Sequence, residues 1–331
     1  MTETQHVTVD ICTKDRYMTT LPLTIQSVIT QTLTPDELII VDDSPEPKDL
    51  RTIPIYQYLF QLLDEKKIKW QVIYGKKRGQ HFSHQIVQEM AKDLIWRLDD
   101  DVVAEPNCLE ILLSNFVEGV GGVGGPVLMP SAGYKEVDCS INNVSDNQQW
   151  YKFNGIKYVE HLYSCFLFKS NIVDYELSLS SAAHREETIL SHNIFRKGYK
   201  LIIDSKAICW HLRNPEGGIR NNKPNDWEHD EMIFNEIKRE WDSILIAFLD
   251  NGIGDHIIFK SLLPKLHKKY KTIKIACCYP SLFDEETMSI LEGSKLVNPD
   301  RFNLYKFMID HDWKTEMKYA MERMYDNNCT M

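Results

Sequence analysis

Paired cysteines, long apolar runs and a net positive charge are all lacking in this chain of 331 residues. The eight cysteines are scattered apart from adjacent Cys277 and Cys278, and none forms a CxxC pair. The sequence therefore offers neither a zinc-ligand spacing nor a disulfide framework. No apolar stretch approaches the roughly 18 residues that a membrane span needs. The opening MTETQHVTVDICTKDRY has no basic stretch ahead of an apolar one, so no secretory signal is read and a reducing cytoplasm is the expected setting. With a formal net charge of -10 the chain gains little from phosphate backbones, which argues against a general nucleic-acid binder. Glycine is sparse as well. Its one dense run, GVGGVGGPVLMP (119–130), lacks the GK[ST] ending of a phosphate loop and runs into Pro126 rather than a helix. It reads as a turn entering a strand.

What is present is a core: 43% of the residues are hydrophobic, and the length favours two units. HVTVDIC (6–12), DELIIVDDS (36–44), KWQVIYG and LIWRL read as strands. Between them TTLPLTIQSVITQT, the segment 55–64 and SHQIVQEMAK have helical spacing. This alternation predicts an α/β fold around a mostly parallel, Rossmann-like sheet, in which ligands bind beyond the carboxyl ends of the strands. Thr13, Asp15, Asp42, Asp43 and Asp99 to Asp101 would then share one rim. After a polar loop come a helix stopped at Gly198, a strand and a second loop, then the charged helical connector NDWEHDEMIFNEIKREW. At Asp242 a strand, a glycine turn, a helix and a strand begin a second, smaller α/β unit.

Three clusters carry chemistry. The run Asp99, Asp100, Asp101 ends a buried strand, where like charges repel unless a cation sits with them. Carboxylates two apart suit Mn²⁺ or Mg²⁺ shared with substrate phosphates. Glu186 and Glu187 begin a helix, whose N-terminus favours the ionised form that a general base requires. His211 follows the strand-like AICW and is a candidate metal or phosphate ligand.

VDICTKDR, QTLTPDELIIVDDS, WRLDDDVVAEPNCLE and REETILSHNIFRKGYKLIIDSKAICWHLR, in this order, resemble the family-2 glycosyltransferases of the GT-A fold. The resemblance spans about Val7 to Arg220. It implies that Thr13, Asp15 and Arg16 grip the nucleotide of a nucleotide-diphosphate sugar, and that Asp42 and Asp43 read its base and ribose. It implies that Asp99 and Asp101 form the DxD metal pair, with Asp100 beside the donor and His211 completing the metal or diphosphate site. Glu187 falls at the family's catalytic base, with Glu186 just before it. Where the family commonly has an Arg-Asn pair this chain has His84 and Gln85; Lys77 and Arg78 upstream are the substitutes for the lost charge. The implied reaction is transfer of a sugar to an acceptor hydroxyl with inversion.

The expected organisation is a catalytic domain over 1–222, a helical connector over 223–241 and a small α/β domain over 242–331. The last, around Gly252, Gly254 and Asp255, resembles the opening of a heptosyltransferase-like GT-B domain and is too short to complete one. It is expected to pack on the first domain or to form a homodimer contact. A polysaccharide or lipid-linked glycan is the expected acceptor; modified phage DNA is the lesser alternative, which the acidic balance disfavours. Two other classes compete: a non-catalytic sugar-nucleotide-binding or scaffold module, and a nucleotidyltransferase. The latter wants a glycine- and lysine-rich triphosphate loop that CTKDRYMTT does not supply.

Overall fold

The structure, a computed structural model, describes residues 5–130, 152–213, 216–218, 224–249, 253–283 and 289–290. The polar loop read after Pro130 and the turn at Gly252 lie outside the described residues. The first half alternates as its periodicity dictates: β1 (Val7–Thr13), α1 (Leu21–Ile29), β2 (Glu37–Asp42), α2 (Pro54–Glu65), β3 (Lys69–Tyr74), α3 (Gln80–Met90) and β4 (Leu94–Asp99). A short β5 (Val102–Ala104) and α4 (Cys108–Ser114) follow, then β6 (Val120–Gly124), β7 (Val127–Leu128), β8 (Ile156–Val159) and β9 (Cys165–Lys169). Next come α5 (Glu186–Arg196), β10 (Lys200–Asp204), β11 (Cys209–His211) and α6 (Pro224–Asp242).

An eight-stranded sheet in the order β3-β2-β1-β4-β9-β6-β10-β8 forms the centre. Strands β3, β2, β1 and β4 run parallel, as do β6 and β10, whereas β9 and β8 are antiparallel to their neighbours. The inner strands β1, β2 and β4 are buried on both faces, as covering by helices on two sides requires, and Thr8, Asp10 and Arg97 are among their buried polar residues. Val9, Ile11, Leu38, Ile40, Trp96 and Leu98 belong to one buried cluster, and Ile95, Phe166, Phe168, Leu190 and Ile194 to another. Register sets the rim: Thr13 pairs with Asp42, and Cys12 with Asp99.

The glycine run corrects its sequence reading. Only Gly119, at φ 79°, turns the chain; Val120–Gly124 is itself β6, inside the central sheet. Its glycines serve close approach. A Cβ on Gly121 would lie 2.5 Å from Ile194 Cγ2, and one on Gly125 only 1.9 Å from the Ala207 carbonyl oxygen.

A separate sheet, β5-β11-β7, flanks the centre. Beyond α6, strands β12 (Ile244–Leu249), β13 (Thr272–Cys277) and β14 (Ser289–Ile290) form a parallel sheet with α7 (Ile253–Lys269). This unit packs on the first: Ala276 is fully buried in the cluster of Ile95 and Phe168, with Ile244 and Cys278 against it. Helix α6 does more than connect. Its Phe234 and Trp241 bury against Leu179 and Ile189 of the α5 region.

Candidate active site

A cavity of about 670 Å³ opens at the carboxyl ends of β1, β2 and β4, within the size range of ligand sites. Thr13, Arg16, Asp43, Asp99, Asp100, Asp101, Glu186, Glu187 and His211 all line it. Residues from four separated sequence blocks thus meet in one place.

The three aspartates have different partners. Asp100 is buried; its Oδ2 accepts from Thr13 Oγ1 at 2.7 Å and its Oδ1 from Arg16 Nη1 at 2.6 Å. Burial raises its pKa to about 7 against the opposing pull of Arg16. Arg16 Nη1 also lies 2.8 Å from Asp101 Oδ2. Part of the positive charge that the aspartate run demands is therefore built into the chain. The short β5–β11 ladder explains the arrival of His211: it pairs with Val102, and Leu212 N–H donates to the Asp101 carbonyl at 2.8 Å. His211 Nε2 then lies 3.4 Å from Asp101 Oδ1. One ligand atom each from Asp99, Asp101 and His211 falls within 4.8 Å of the others. Two carboxylates and an imidazole form a donor set that fits a divalent cation.

The two glutamates separate just as clearly. Arg97, fully buried in β4, forks onto Glu186 through Nη1–Oε2 at 2.9 Å and Nη2–Oε1 at 2.5 Å. Glu186 Oε1 also accepts from Gln80 Nε2 at 2.8 Å, so both its oxygens are occupied. Glu187 Oε2 accepts from Arg97 Nη2 at 3.0 Å and from Ser164 N–H at 3.4 Å, while its Oε1 accepts from no described residue. Burial pushes the Glu187 pKa up to about 8, with Arg97 opposing and Asp99 and Glu186 adding to the rise.

The start of α5 is held from outside the central sheet. Ala183 and Arg185 have φ of 50° and 71°, conformations that side chains other than glycine rarely adopt. Fully buried Asp230 of α6 accepts from Ser180 N–H, Ser180 Oγ and His184 N–H at 2.6, 3.0 and 2.8 Å. Glu231 accepts from Arg185 Nε at 2.7 Å. At the mouth, the exposed Trp227 ring lies 4.1 Å from that of His184, and both line the cavity.

Other expected residues sit less directly. Asp42 is turned inward, accepting from Tyr17 Oη at 2.6 Å and Ser44 N–H at 3.0 Å, and is not among the lining residues. Asp43 grips the next loop through Lys77 N–H at 2.7 Å and Gly79 N–H at 3.0 Å. Asp15 is exposed at φ 58°, and Arg78 lies over the Phe82 ring at 3.8 Å; neither lines the cavity, whereas Lys77 does. His84 faces the interior, 2.7 Å from Asp10 and 3.2 Å from Cys12. Sequence reasoning missed Arg97, Asp230 and the loop at Gly217 and Gly218, whose positive φ lets it fold over Arg16. A charged residue amid the apolar run LIWRL was the one available signal for Arg97.

Residues 8–163 match the family described as Glycosyl transferase family 2. That match ends before α5 and β11. Among solved structures, the crystal structure of GalNAc-T7 with UDP, GalNAc and Mn2+ aligns at 15% identity with a TM-score of 0.53, covering 69% of this chain and 48% of that chain. The chain thus spans about half the length of that structure. Two crystal structures of S. aureus TarS, one of residues 1-349, align at 13% identity with a TM-score of 0.45. They cover 64% and 62% of this chain and 37% and 60% of their own. No curated protein matches the chain. The mixed α/β architecture with its mostly parallel eight-stranded sheet is the GT-A glycosyltransferase fold. The family match covers residues 8–163, just under half of the chain, and the likeness to the GalNAc-T7 structure at 15% identity is one of fold.

Proposed function

We propose that the chain is an inverting, metal-dependent glycosyltransferase that moves a sugar from a nucleotide-diphosphate donor to an acceptor hydroxyl. The observation that carries this is the convergence of Asp99, Asp101 and His211 within 4.8 Å in the cavity that Glu187 also lines. Those three residues would hold Mn²⁺ or Mg²⁺. Bound there, the cation offsets charge on a diphosphate leaving group. The GalNAc-T7 structure holds UDP and Mn2+, a ligand class that this donor set suits.

The chain's own residues account for the rest. Thr13, Arg16 and Asp100 form a buried network that fixes the turn after β1, where the nucleotide would lie. Glu187 takes the proton of the attacking hydroxyl on Oε1. Single displacement, and so inversion, is favoured because the other carboxylates are committed. Glu186, Asp43 and Asp100 use both oxygens within the protein, and Asp99 and Asp101 belong to the cation. That leaves one base and, among the described carboxylates lining the cavity, no second nucleophile.

A glycan is the acceptor we favour, because the exposed Trp227 ring, tilted 33° against that of His184 with centroids 4.1 Å apart, gives the cavity an aromatic wall suited to a sugar ring. The proposal keeps 1–222 as the catalytic domain, 223–241 as the connector and 242–331 as the small α/β domain. It adds that the connector braces the base. The resemblance of the last unit to a GT-B opening rests on sequence alone. No described helix is long and apolar enough to cross a membrane. A cytoplasmic setting belongs to the same reading and rests on the scattered cysteines of the sequence.

The test is calorimetry with a panel of nucleoside diphosphates and their sugars, with Mn²⁺, Mg²⁺ or EDTA, beside an assay of nucleoside diphosphate release. Metal-dependent binding with slow hydrolysis is expected. Equal affinity in EDTA would overturn the cation site. Tight binding without turnover of any bound sugar would favour a non-catalytic module.

A further inference from the structure

Arg97 is the least expected side chain in the molecule. It stands inside β4, paired with Asp10 of β1 and Phe166 of β9, on the face shared with Ile95. That face is buried, with apolar Ile95, Leu190 and Ile194 beside Asp10 and His84, which pair with each other at 2.7 Å. An unpaired guanidinium there would be prohibitively costly. A buried ion pair is also a poor source of stability, since an apolar pair of similar volume commonly does as well. Neutralising Glu186 therefore does not by itself explain Arg97.

Its other contacts do. Nη2 reaches Glu186 Oε1 at 2.5 Å, Glu187 Oε2 at 3.0 Å and Asp99 Oδ1 at 3.3 Å. One nitrogen thus touches the proposed base and one of the proposed cation ligands. A planar fork holds two acceptors in fixed directions, which an ammonium cannot do. The bidentate pair with Glu186 anchors the guanidinium to the first turn of α5, and Nη2 also reaches Glu187 Oε2. The two described hydrogen bonds to the Glu187 carboxylate both fall on Oε2.

We propose that Arg97 is a positioning residue for glycosyl transfer: it pins Glu187 by Oε2, turns Oε1 toward the acceptor hydroxyl, and fixes the base relative to Asp99. Glu186 serves as its anchor. This rests on the transfer reading above.

Arg97→Lys and Arg97→Gln, with Glu186→Gln as a milder change to the same fork, are compared with wild type. The probes are the nucleoside diphosphate sugar that wild type hydrolyses and Mn²⁺. Circular dichroism and thermal unfolding check the fold, calorimetry gives donor affinity, and release of nucleoside diphosphate gives kcat and KM. Misplacing a reacting group by about 1 Å costs on the order of 10²-fold. A fall in kcat of that size is expected for Arg97→Gln, with KM and donor affinity within about threefold of wild type. Arg97→Lys should recover only part of the rate. Should both Arg97 variants fail to fold, Glu186→Gln, which loosens the anchor and keeps the charge on Arg97, must still lower kcat without raising KM. Wild-type kcat in a folded Arg97→Gln protein, or a change in KM alone, would overturn the role. A wild-type protein that binds no nucleotide sugar would instead overturn the transfer reading itself.

Discussion

His211 Nε2 lies 3.4 Å from Asp101 Oδ1, and the ladder that makes them neighbours is only three residue pairs long. Their meeting depends on β11 returning antiparallel to β5. His211→Ala is expected to weaken Mn²⁺-dependent donor binding by about 10–100-fold, a range typical even for residues that only support a ligand. Donor affinity in EDTA should not change. Titration of donor with and without Mn²⁺ checks this.

Glu187→Gln keeps the shape of the site and removes the base. Turnover should fall by roughly 10²–10⁴, with donor affinity retained. A single-turnover assay with saturating donor is the measurement. An unchanged rate would move the base elsewhere.

The pH dependence follows from the same carboxylate. Its pKa is raised to about 8, so the ionised fraction grows as pH rises through that value. Donor hydrolysis should therefore climb from pH 6 to about pH 9, with its acidic limb shifting lower when cation binding favours the ionised form. In the metal-free protein the sign for stability is the reverse. A raised folded-state pKa gives stability that is complete below the unfolded value and lost as pH passes through the folded one. Glu187→Gln should hence raise the melting temperature more at pH 9 than at pH 5.

Asp230→Ala leaves the amides of Ser180 and His184 without their buried acceptor. A loss of about 1–3 kcal/mol is expected from such groups. Turnover should fall too, because the freed loop carries Glu186 and Glu187. Urea unfolding beside the hydrolysis assay separates the two effects. Rescue of stability by added salt or osmolyte without recovery of kcat would confirm that the brace matters to the site.

Deleting 243–331 should spare donor hydrolysis, since none of its described residues lines the cavity, but it uncovers the face over Ile95 and Phe168 that Ala276 closes. Light scattering should report association of the shortened chain. A monodisperse fragment without any hydrolysis would show that the last unit reaches the site.

Strands β1 to β4 and their helices were legible because each is a separate apolar period, and the sheet rim followed from them. Asp99 and Asp101 were legible as a cation pair from their place at a strand end; it was the family resemblance that joined His211 to them. Arg97 and Asp230 were not legible for a common reason. Each is an ordinary charged residue locally, and its meaning comes from burial against an element far along the chain. The glycines of β6 misled because a tight turn and a close approach demand the same residue. Likewise Cys108, Cys165 and Cys209 are distant in sequence, and only the fold brings their thiols together.

The proposed cation ligands hang on β4, β5 and β11, whereas the proposed base and the aromatic wall hang on α5 and α6. The two halves meet in the cavity and share one bridging side chain. Directed evolution of acceptor choice can therefore explore Trp227, His184 and their neighbours on the helical side without rewriting the metal side. Libraries drawn across Arg97 would disturb both at once.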